Sequence, residues 1–337
     1  MKLQPLALAF ALTTLPAQEP FKVSDYVPND YRVVMRADLK AMRDQGIWDE
    51  LENGAMKMLL AAMERESGFA LVALDRVMMV ASFAADAPPR HDPDRIVIME
   101  GNAQLELPHS ATRNTNYQPA KIGGHDVLVH SQSSWLYFQP RPEVRIEGAR
   151  AALEPMLSGK PSAGQPCADI LSLRSTRKDS LVEMAFDLTI PTLRDETIGK
   201  LFADTEWPEG QAPQFLYARM HAIGDADDPH FGVELVLRHV GDGDGVAVTE
   251  KAIDGLLAKV AAEPKLKMVQ QLLAKLERTR DRGDLILKLD LGRARDAGGK
   301  LAMAMMATMT TSTEVQAAQV APAPPPPPKP ADPAKKQ

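Results

Sequence analysis

Runs of alternating or continuous apolar residues recur along the chain and predict β-strands. They read YRVVMRA, DRVMMVAS, DRIVIMEGN, GHDVLVH, SWLYFQ, EVRIEG, SLVEMAFDL, QFLYARMHA, FGVELVLRHV, GVAVT and DLILKLDL. Clusters of Pro, Gly and Asp separate most of these runs, as expected for turns. Because neighbouring strands joined by short turns pair antiparallel, the pattern predicts a mainly antiparallel sheet.

Apolar residues at three- and four-residue spacing predict helices between the strand groups. The predicted helices cover 40–66, 149–157, a segment that starts at Pro191, Ile253–Val260, 264–276 and a methionine-rich segment from about Gly298. Both halves of the chain then follow the order strand, helix, several adjacent strands, helix. This order predicts an α+β fold with two related halves, in which helices pack on one face of each mainly antiparallel sheet.

One short pattern recurs three times and relates the halves to each other. An apolar stretch runs into Asp-Leu and then Arg-Asp in VVMRADLKAMRD, VEMAFDLTIPTLRD and LILKLDLGRARD, whose first aspartates are Asp38, Asp187 and Asp290. We expect each aspartate to end a strand and start a helix, so the pattern predicts three equivalent corners. We interpret the first two copies as the starts of two diverged halves, and the third as the close of the second half.

The two ends of the chain differ in composition from its centre. The first eighteen residues carry Lys2, an apolar run from Leu3 to Leu15 and a small-residue exit near Ala17, which is the layout of a secretory signal peptide. The end of the chain is rich in Pro and Ala and is predicted to be disordered. The expected organisation is a signal peptide over 1–18, a first half over 19–160, a second half over 161–312 and a tail over 313–337.

The phrases VPNDYRVVMRADLKAMRD and ALDRVMMV, placed after a signal peptide, resemble uncharacterised exported bacterial proteins built from duplicated strand-helix-sheet halves. The resemblance spans most of residues 27–300 and carries no catalytic motif. It implies an α+β fold and an exported location, periplasmic or extracellular, and it implies no activity.

Composition and charge exclude several classes of protein. Cys167 is the single cysteine, so no intramolecular disulfide forms and stability must come from a hydrophobic core. The formal net charge is -6 and no basic stripe stands apart from acidic residues, which argues against a nucleic-acid partner. The N-terminal apolar run is too short for a membrane span, so we expect no integral membrane segment after signal cleavage.

Carboxylates and histidines give weak candidates for a metal site. Asp38, Asp187 and Asp290 could converge on a hard cation, because carboxylate oxygens suit calcium and magnesium. The simpler interpretation is that each accepts hydrogen bonds from the first turn of a helix. No zinc-type spacing of His and Cys occurs. His221 and His239, in successive predicted strands, are a pair that could face each other.

The segment LAMAMMATM gives a second weak candidate for a metal site. Its thioether sulfurs would suit Cu(I), which an exported protein can meet. Against this, Leu301, Met305 and Met309 form a helical stripe that would fill a core or cover a sheet, a common use of adaptable Met side chains. The methionines in question are Met303, Met305, Met306 and Met309.

No catalytic motif stands out. The chain lacks GxSxG and a Gly-rich phosphate loop, and its one SxxK match has no SDN or KTG partner. We therefore expect no cofactor and a non-catalytic binding or envelope-organising module with an unknown protein or envelope partner. Two alternatives stay open. One is an envelope hydrolase with a carboxylate site between the halves, and the other is a carrier of a soft metal or hydrophobic ligand on the methionine-rich helix.

Overall fold

The computed structural model of the chain describes its strands and several of its helices. The described residues are 31–53, 70–82, 94–105, 117–131, 134–159, 180–199, 201–223, 230–241 and 243–293, with isolated positions 26, 27, 57, 60, 61 and 64. The predicted signal peptide, the methionine-rich helix and the Pro-rich tail lie outside the described residues.

One antiparallel sheet of twelve strands dominates the described part of the chain. The strands are β1 (Val33–Asp38), β2 (Leu74–Ser82), β3 (Asp94–Gly101), β4 (Tyr117–Ile122), β5 (His125–His130), β6 (Trp135–Arg141), β7 (Val144–Ala149), β8 (Ser180–Asp187), β9 (Phe215–Ile223), β10 (His230–Arg238), β11 (Glu277–Asp281) and β12 (Asp284–Arg293). Their order is β11-β12-β10-β9-β8-β1-β2-β3-β7-β6-β5-β4. Because β1 pairs with β8, the sheet is continuous across the boundary predicted at 160/161.

Six α-helices have defined bounds among the described residues. They are α1 (Leu39–Asp44), α2 (Ile47–Asn53), α3 (Arg150–Leu157), α4 (Pro191–Arg194), α5 (Asp244–Ala262) and α6 (Lys267–Leu273). The predicted helix over 40–66 is interrupted at Gly46, whose φ of +69° suits glycine and ends α1. In this part of the chain no helix combines the length and apolar character that crossing a bilayer requires.

The helices pack on both faces of the sheet. Side chains alternate between faces along a strand, so Arg36 and Val33 of β1 point to opposite sides. Ile98 shares a cross-strand row with Arg36, and Leu216 shares one with Val33. Helix α3 packs beside Ile98 and helix α5 beside Leu216, which defines the α3 face and the α5 face. The α+β class is confirmed. The helices lie on both faces of the one described sheet, whereas the prediction placed the helices of each half on one face.

The core of the α3 face lies mainly over the first strands of the chain. Leu136, Ile146 and Leu153 there are fully buried. Each such side chain contributes roughly 1.5–3 kcal/mol relative to exposure. The core of the α5 face lies over β9, β10 and β12, where Leu285 is fully buried against α5.

The three Asp-Leu corners are not equivalent, so that prediction was wrong. Asp38 is the N-cap of α1, and the N–H of Ala41 donates to its Oδ1 at 2.8 Å. Asp187 is buried and accepts from the N–H of Thr189 at 3.0 Å, before the helix begins. Asp290 lies inside β12, because β12 stays paired with β10 beyond it.

The run GVAVT, predicted as a strand, is the first turn of α5. Val246 and Thr249 are buried, and Ile253 one turn later is buried on the same side. Their β-branched side chains mimic a strand in the sequence, but their three- and four-residue spacing matches the helix.

Both edge strands of the sheet were missed by the sequence pattern. Strand β4 contains Pro119, which removes one backbone donor and is tolerated at a sheet edge. Strand β11 reads ERTRD, so it has no apolar residue to signal a strand. Its Arg278 and Arg280 instead pair with Asp254 and Glu250 of α5. Proline and charge on the two edges hinder pairing with another sheet.

Candidate functional site

The structure separates the three aspartates proposed as a cation site. Asp38 and Asp290 lie at the same end of the sheet, but β8, β9 and β10 stand between their strands, roughly 19 Å at normal strand spacing. Asp187 lies at the opposite end of β8. Among the described residues, no three His, Cys, Asp or Glu side chains cluster as metal ligands.

The other sequence candidates also fail to form a described site. His221 pairs with Gly232 at one end of β9, whereas His239 follows the far end of β10, so the two histidines do not face each other. The thioethers of Met303, Met305, Met306 and Met309 lie outside the described residues.

An open groove of about 390 Å³ lies between α5 and the segment 201–206, and we call it the α5 groove. Its apolar floor comes from one stripe of α5 and from Leu201 on the opposite wall. Lysines of α5 and carboxylates of the facing segment form its rim. The floor of α5 comprises Val248, Ala252, Gly255 and Leu256, and the rim comprises Lys251, Lys259, Asp204 and Glu206.

Helix α5 can line the groove because it carries two apolar stripes. Val246, Thr249 and Ile253 are buried toward the sheet. Val248 directly precedes Thr249 and Ala252 directly precedes Ile253, so each is turned by roughly 100° to the side of the helix and remains half-buried. An amphipathic helix needs one apolar stripe to pack on a sheet. The second stripe reaches the groove from the flank of the packed face, since Ala252 and Leu256 line the groove and also pack against the core.

The facing wall exposes an apolar side chain. Phe202 is buried against the sheet, and the Trp207 ring packs on it with 5.7 Å between ring centroids. Leu201 follows the π-helical turn Asp195–Gly199 and directly precedes Phe202. Its side chain points outward and is 57% exposed. Leu201 is thus an exposed large apolar residue that borders a groove with an apolar floor.

A buried polar network fixes this wall to α5. The Trp207 indole donates from Nε1 to Thr249 Oγ1 at 2.8 Å, and His239 Nε2 lies 2.9 Å from the same oxygen. His239 Nδ1 lies 3.3 Å from the Gly283 carbonyl. The Thr249 hydroxyl donates to the Gly245 carbonyl at 3.0 Å, so its oxygen links the Trp207 indole, the His239 ring and the first turn of α5. Burial lowers the pKa of His239, which favours the neutral form of its ring.

The first turn of α5 is held by a close backbone approach. The N–H of Gly245 donates to Gln211 Oε1 at 2.8 Å. A Cβ at Gly245 would lie 2.2 Å from the Gln211 carbonyl oxygen, so only glycine fits. At Gly255, in the groove floor, a Cβ would meet nothing within 4 Å. The same helix therefore has one glycine that is needed for packing and one that leaves the groove open.

The rim of the groove is charged but has no net charge. Lys259 Nζ lies 3.1 Å from Asp204 Oδ2, and these side chains are 70% and 87% exposed. An ion pair so exposed contributes little to stability, at most about 1 kcal/mol. Glu206 and Lys251 also line the groove. The lysines thus lie on the α5 wall and the carboxylates on the facing wall.

A row of alternating charges crosses the α3 face, and the sequence analysis missed it. Six cross-strand neighbours on successive strands alternate in sign. Arg219 Nη2 lies 3.5 Å from Glu234 Oε2, and both glutamates in the centre of the row are buried. The sequence did contain a signal for this row, namely one charged residue in the middle of each apolar run. The row reads Glu277, Lys288, Glu234, Arg219, Glu183 and Arg36.

Aromatic and charged side chains also gather on the α5 face of the outer strands. Buried Arg145 donates from Nη2 to Glu147 Oε2 at 2.7 Å and lies 5.6 Å from the Tyr137 ring centre. Tyr117 packs edge-on against Tyr137 and His130. Burial raises the pKa of Tyr137. These rings and charges contact one another, an arrangement typical of a structural cluster.

No family model matches this chain, and no curated protein matches it. In structure the chain is similar to TP0453. Crystal form III of TP0453 is 10% identical with a TM-score of 0.45, and the match covers 85% of this chain and 100% of that chain. Crystal form I is 13% identical with a TM-score of 0.41, over 81% of this chain and 93% of that chain. A similarity this distant assigns no activity.

Proposed function

We propose that this chain is an exported, non-catalytic binding module of the cell envelope, which holds an amphipathic segment of a protein partner in the α5 groove. The observation that supports it is the apolar floor of the groove, with Leu201 57% exposed beside it. Leu201 and the floor line the same groove, so together they offer one apolar surface to a partner. The exported location rests on the signal-peptide layout of the first eighteen residues.

The shape of the groove favours a helical segment over a small ligand. From Val248 to Lys259 the groove follows α5 for eleven residues, roughly 17 Å at the helical rise, or three turns of a partner helix. Small-molecule carriers bury most of their ligand in a closed pocket. A groove that is open along one side, with charges on both walls, matches the recognition of an amphipathic helix.

The rim offers charge for recognition and little for acid-base catalysis. A general acid or base usually lies in a desolvated site where its proton affinity is tuned. Asp204 and Lys259 are instead largely exposed and paired with each other. We therefore favour binding over hydrolysis for this groove.

We also infer that the chain consists of two related halves that meet at β1 and β8. The repeated pattern makes Met184 the counterpart of Met35, and these two residues are direct cross-strand partners. That register supports a local two-fold relation between the halves. The strand orders β1-β2-β3-β7-β6 and β8-β9-β10-β12-β11 support it as well, with β4 and β5 as an addition in the first half.

A peptide-binding experiment tests the proposed function. The probe is a labelled synthetic amphipathic helix with leucines at three- and four-residue spacing, lysines on one flank and glutamates on the other. Fluorescence anisotropy should show binding to the full chain, and Gly255→Trp should weaken it about tenfold or more by filling the floor. Ala261→Trp, at an exposed position of α5 outside the groove, is the matched control and should bind normally. Absent binding, or equal binding by Gly255→Trp, would contradict the proposal.

A further inference from the structure

We propose that the occupant of the α5 groove is a second copy of this chain, bound in a symmetric dimer. The inference rests on the proposed function, since it names the partner of the same groove. A symmetric dimer requires a surface that is complementary to itself: if one residue contacts another across the interface, the reverse contact must also form. The α5 groove meets this condition in charge and in shape.

Charge complementarity selects the direction of the symmetry axis. The lysines lie on the α5 wall and the carboxylates on the facing wall, with Lys259 level with Asp204. A two-fold axis along the groove places the α5 wall of each copy over the facing wall of the other. Lys259 then meets Asp204 of the second copy, and Lys251 meets its Glu206. An axis across the groove would place lysine over lysine, which is unfavourable.

The same axis also matches the apolar parts of the surface. Leu201 lies on the wall opposite α5, so it comes to rest over the α5 floor of the second copy. Gly255 leaves open space there, because even a Cβ would meet nothing within 4 Å. The 57% exposed Leu201 of each copy thus fills the floor of the other, and both apolar surfaces leave the solvent.

The sheet edges favour this surface over edge-to-edge pairing. The outer edge of β4 carries Pro119, and β11 carries arginines that are engaged with α5. Both features hinder addition of a strand from another chain. Association through α5 needs no new backbone hydrogen bonds, so it avoids both obstacles.

Sedimentation equilibrium of the full chain over a wide concentration range tests the dimer. We expect a reversible monomer–dimer equilibrium. Gly255→Trp should weaken it about tenfold or more, and Ala261→Trp, at an exposed position of α5 that does not line the groove, should leave it unchanged. A strictly monomeric wild-type chain would overturn the inference. If Gly255→Trp still abolishes peptide binding in that case, the proposed function stands without the dimer. If neither association nor peptide binding occurs, both proposals fall.

A charge-swap experiment guards against variants that merely fold poorly. One chain carries Lys251→Glu and Lys259→Glu, and the other carries Asp204→Lys and Glu206→Lys. Each alone should be monomeric, because like charges then face each other across the interface. An equimolar mixture should form a mixed dimer, since every facing pair is opposite in charge again. If each double variant still self-associates like wild type, or if the mixture stays monomeric, the dimer does not use this surface.

Discussion

Arg36 of β1 lies directly opposite Glu183 of β8, with Arg36 Nη1 4.0 Å from Glu183 Oε2. This pair sits at the junction between the first seven strands and the last five. It continues into Arg219, the cross-strand neighbour of Glu183 on β9. A shift of one residue in the β1–β8 register would place each charge on the opposite face, among apolar side chains. The charged row therefore specifies how the two parts of the sheet join.

Removing the charge of buried Glu183 from this row should destabilise the fold. Glu183→Gln keeps the volume of the side chain but removes the buried carboxylate that faces Arg36. We expect the free energy of unfolding to fall by about 3 kcal/mol, the cost of breaking a buried ion pair. Lys288→Gln, at the exposed end of the row, should change it by less than about 0.5 kcal/mol. Urea denaturation measures both. If both variants lowered the free energy of unfolding equally, burial of the charge would not determine how much its removal destabilises the fold.

The three aspartates of the repeated pattern should differ sharply when changed to alanine. Asp187 is 1% exposed and accepts from Arg32 Nη1 at 2.6 Å, so Asp187→Ala should cost about 3 kcal/mol. Asp38→Ala should cost about 1 kcal/mol, the usual loss of an N-cap. Asp290→Ala should cost about 0.5 kcal/mol, because its side chain is half exposed. Similar losses by thermal or urea unfolding at all three sites would mean that the corners are equivalent after all.

The two glycines of α5 should respond oppositely to alanine. Gly245→Ala would force a Cβ to within 2.2 Å of the Gln211 carbonyl oxygen, so we expect a loss of about 2 kcal/mol or more. Gly255→Ala adds a methyl group in open space and reduces backbone freedom in the unfolded chain. It should raise stability by about 0.8 kcal/mol. Denaturant midpoints with unchanged slopes would measure both effects. Two changes of the same sign would contradict the described geometry of α5.

Stability should fall in mild acid because of His239. Burial lowers the pKa of His239 in the folded chain, whereas in the unfolded chain it is about 6.5. Between the two pKa values only the unfolded chain binds the proton, so the free energy of unfolding rises with pH in that window. Acidification below about pH 6.5 should therefore narrow the stability advantage of wild type over His239→Asn. Urea unfolding at several pH values measures this difference.

An NMR titration of the His239 ring gives an independent check on the same prediction. Its midpoint in the folded chain should lie below that of a model histidine, about 6.5. A midpoint at or above that value would mean that protonation does not oppose folding at this site.

Alternating apolar patterns located most of the sheet because period-two burial determines which residues face the core. VVMRAD and SLVEMAFD form β1 and β8, as the pattern predicts. The pattern missed β4 and β11, since an edge strand can carry proline or charge where a central strand cannot. It also misassigned the start of α5, where valines suited either element. Local patterns thus predicted the central strands of the sheet better than its edge strands.

The candidate site depended on relationships that the sequence pattern does not contain. Leu256 packs against the core, as its helical spacing indicates, but it also lines the groove together with Leu201. The residues of α5 that pack on the sheet and those that line the groove are adjacent on the helix surface. In the sequence they therefore look like one wide apolar face. The buried link from Trp207 to Thr249 joins residues 42 positions apart. Only the folded chain brings these walls together.

The pairing of β1 with β8 at the centre of the sheet makes the two parts of the chain depend on each other. If the chain were cut between β7 and β8, each fragment would end its sheet in a strand that carries part of the charged row and lacks a neighbour. Each fragment would then expose the edge that the other is shaped to cover. The first seven strands and the last five are thus complementary pieces of one continuous sheet.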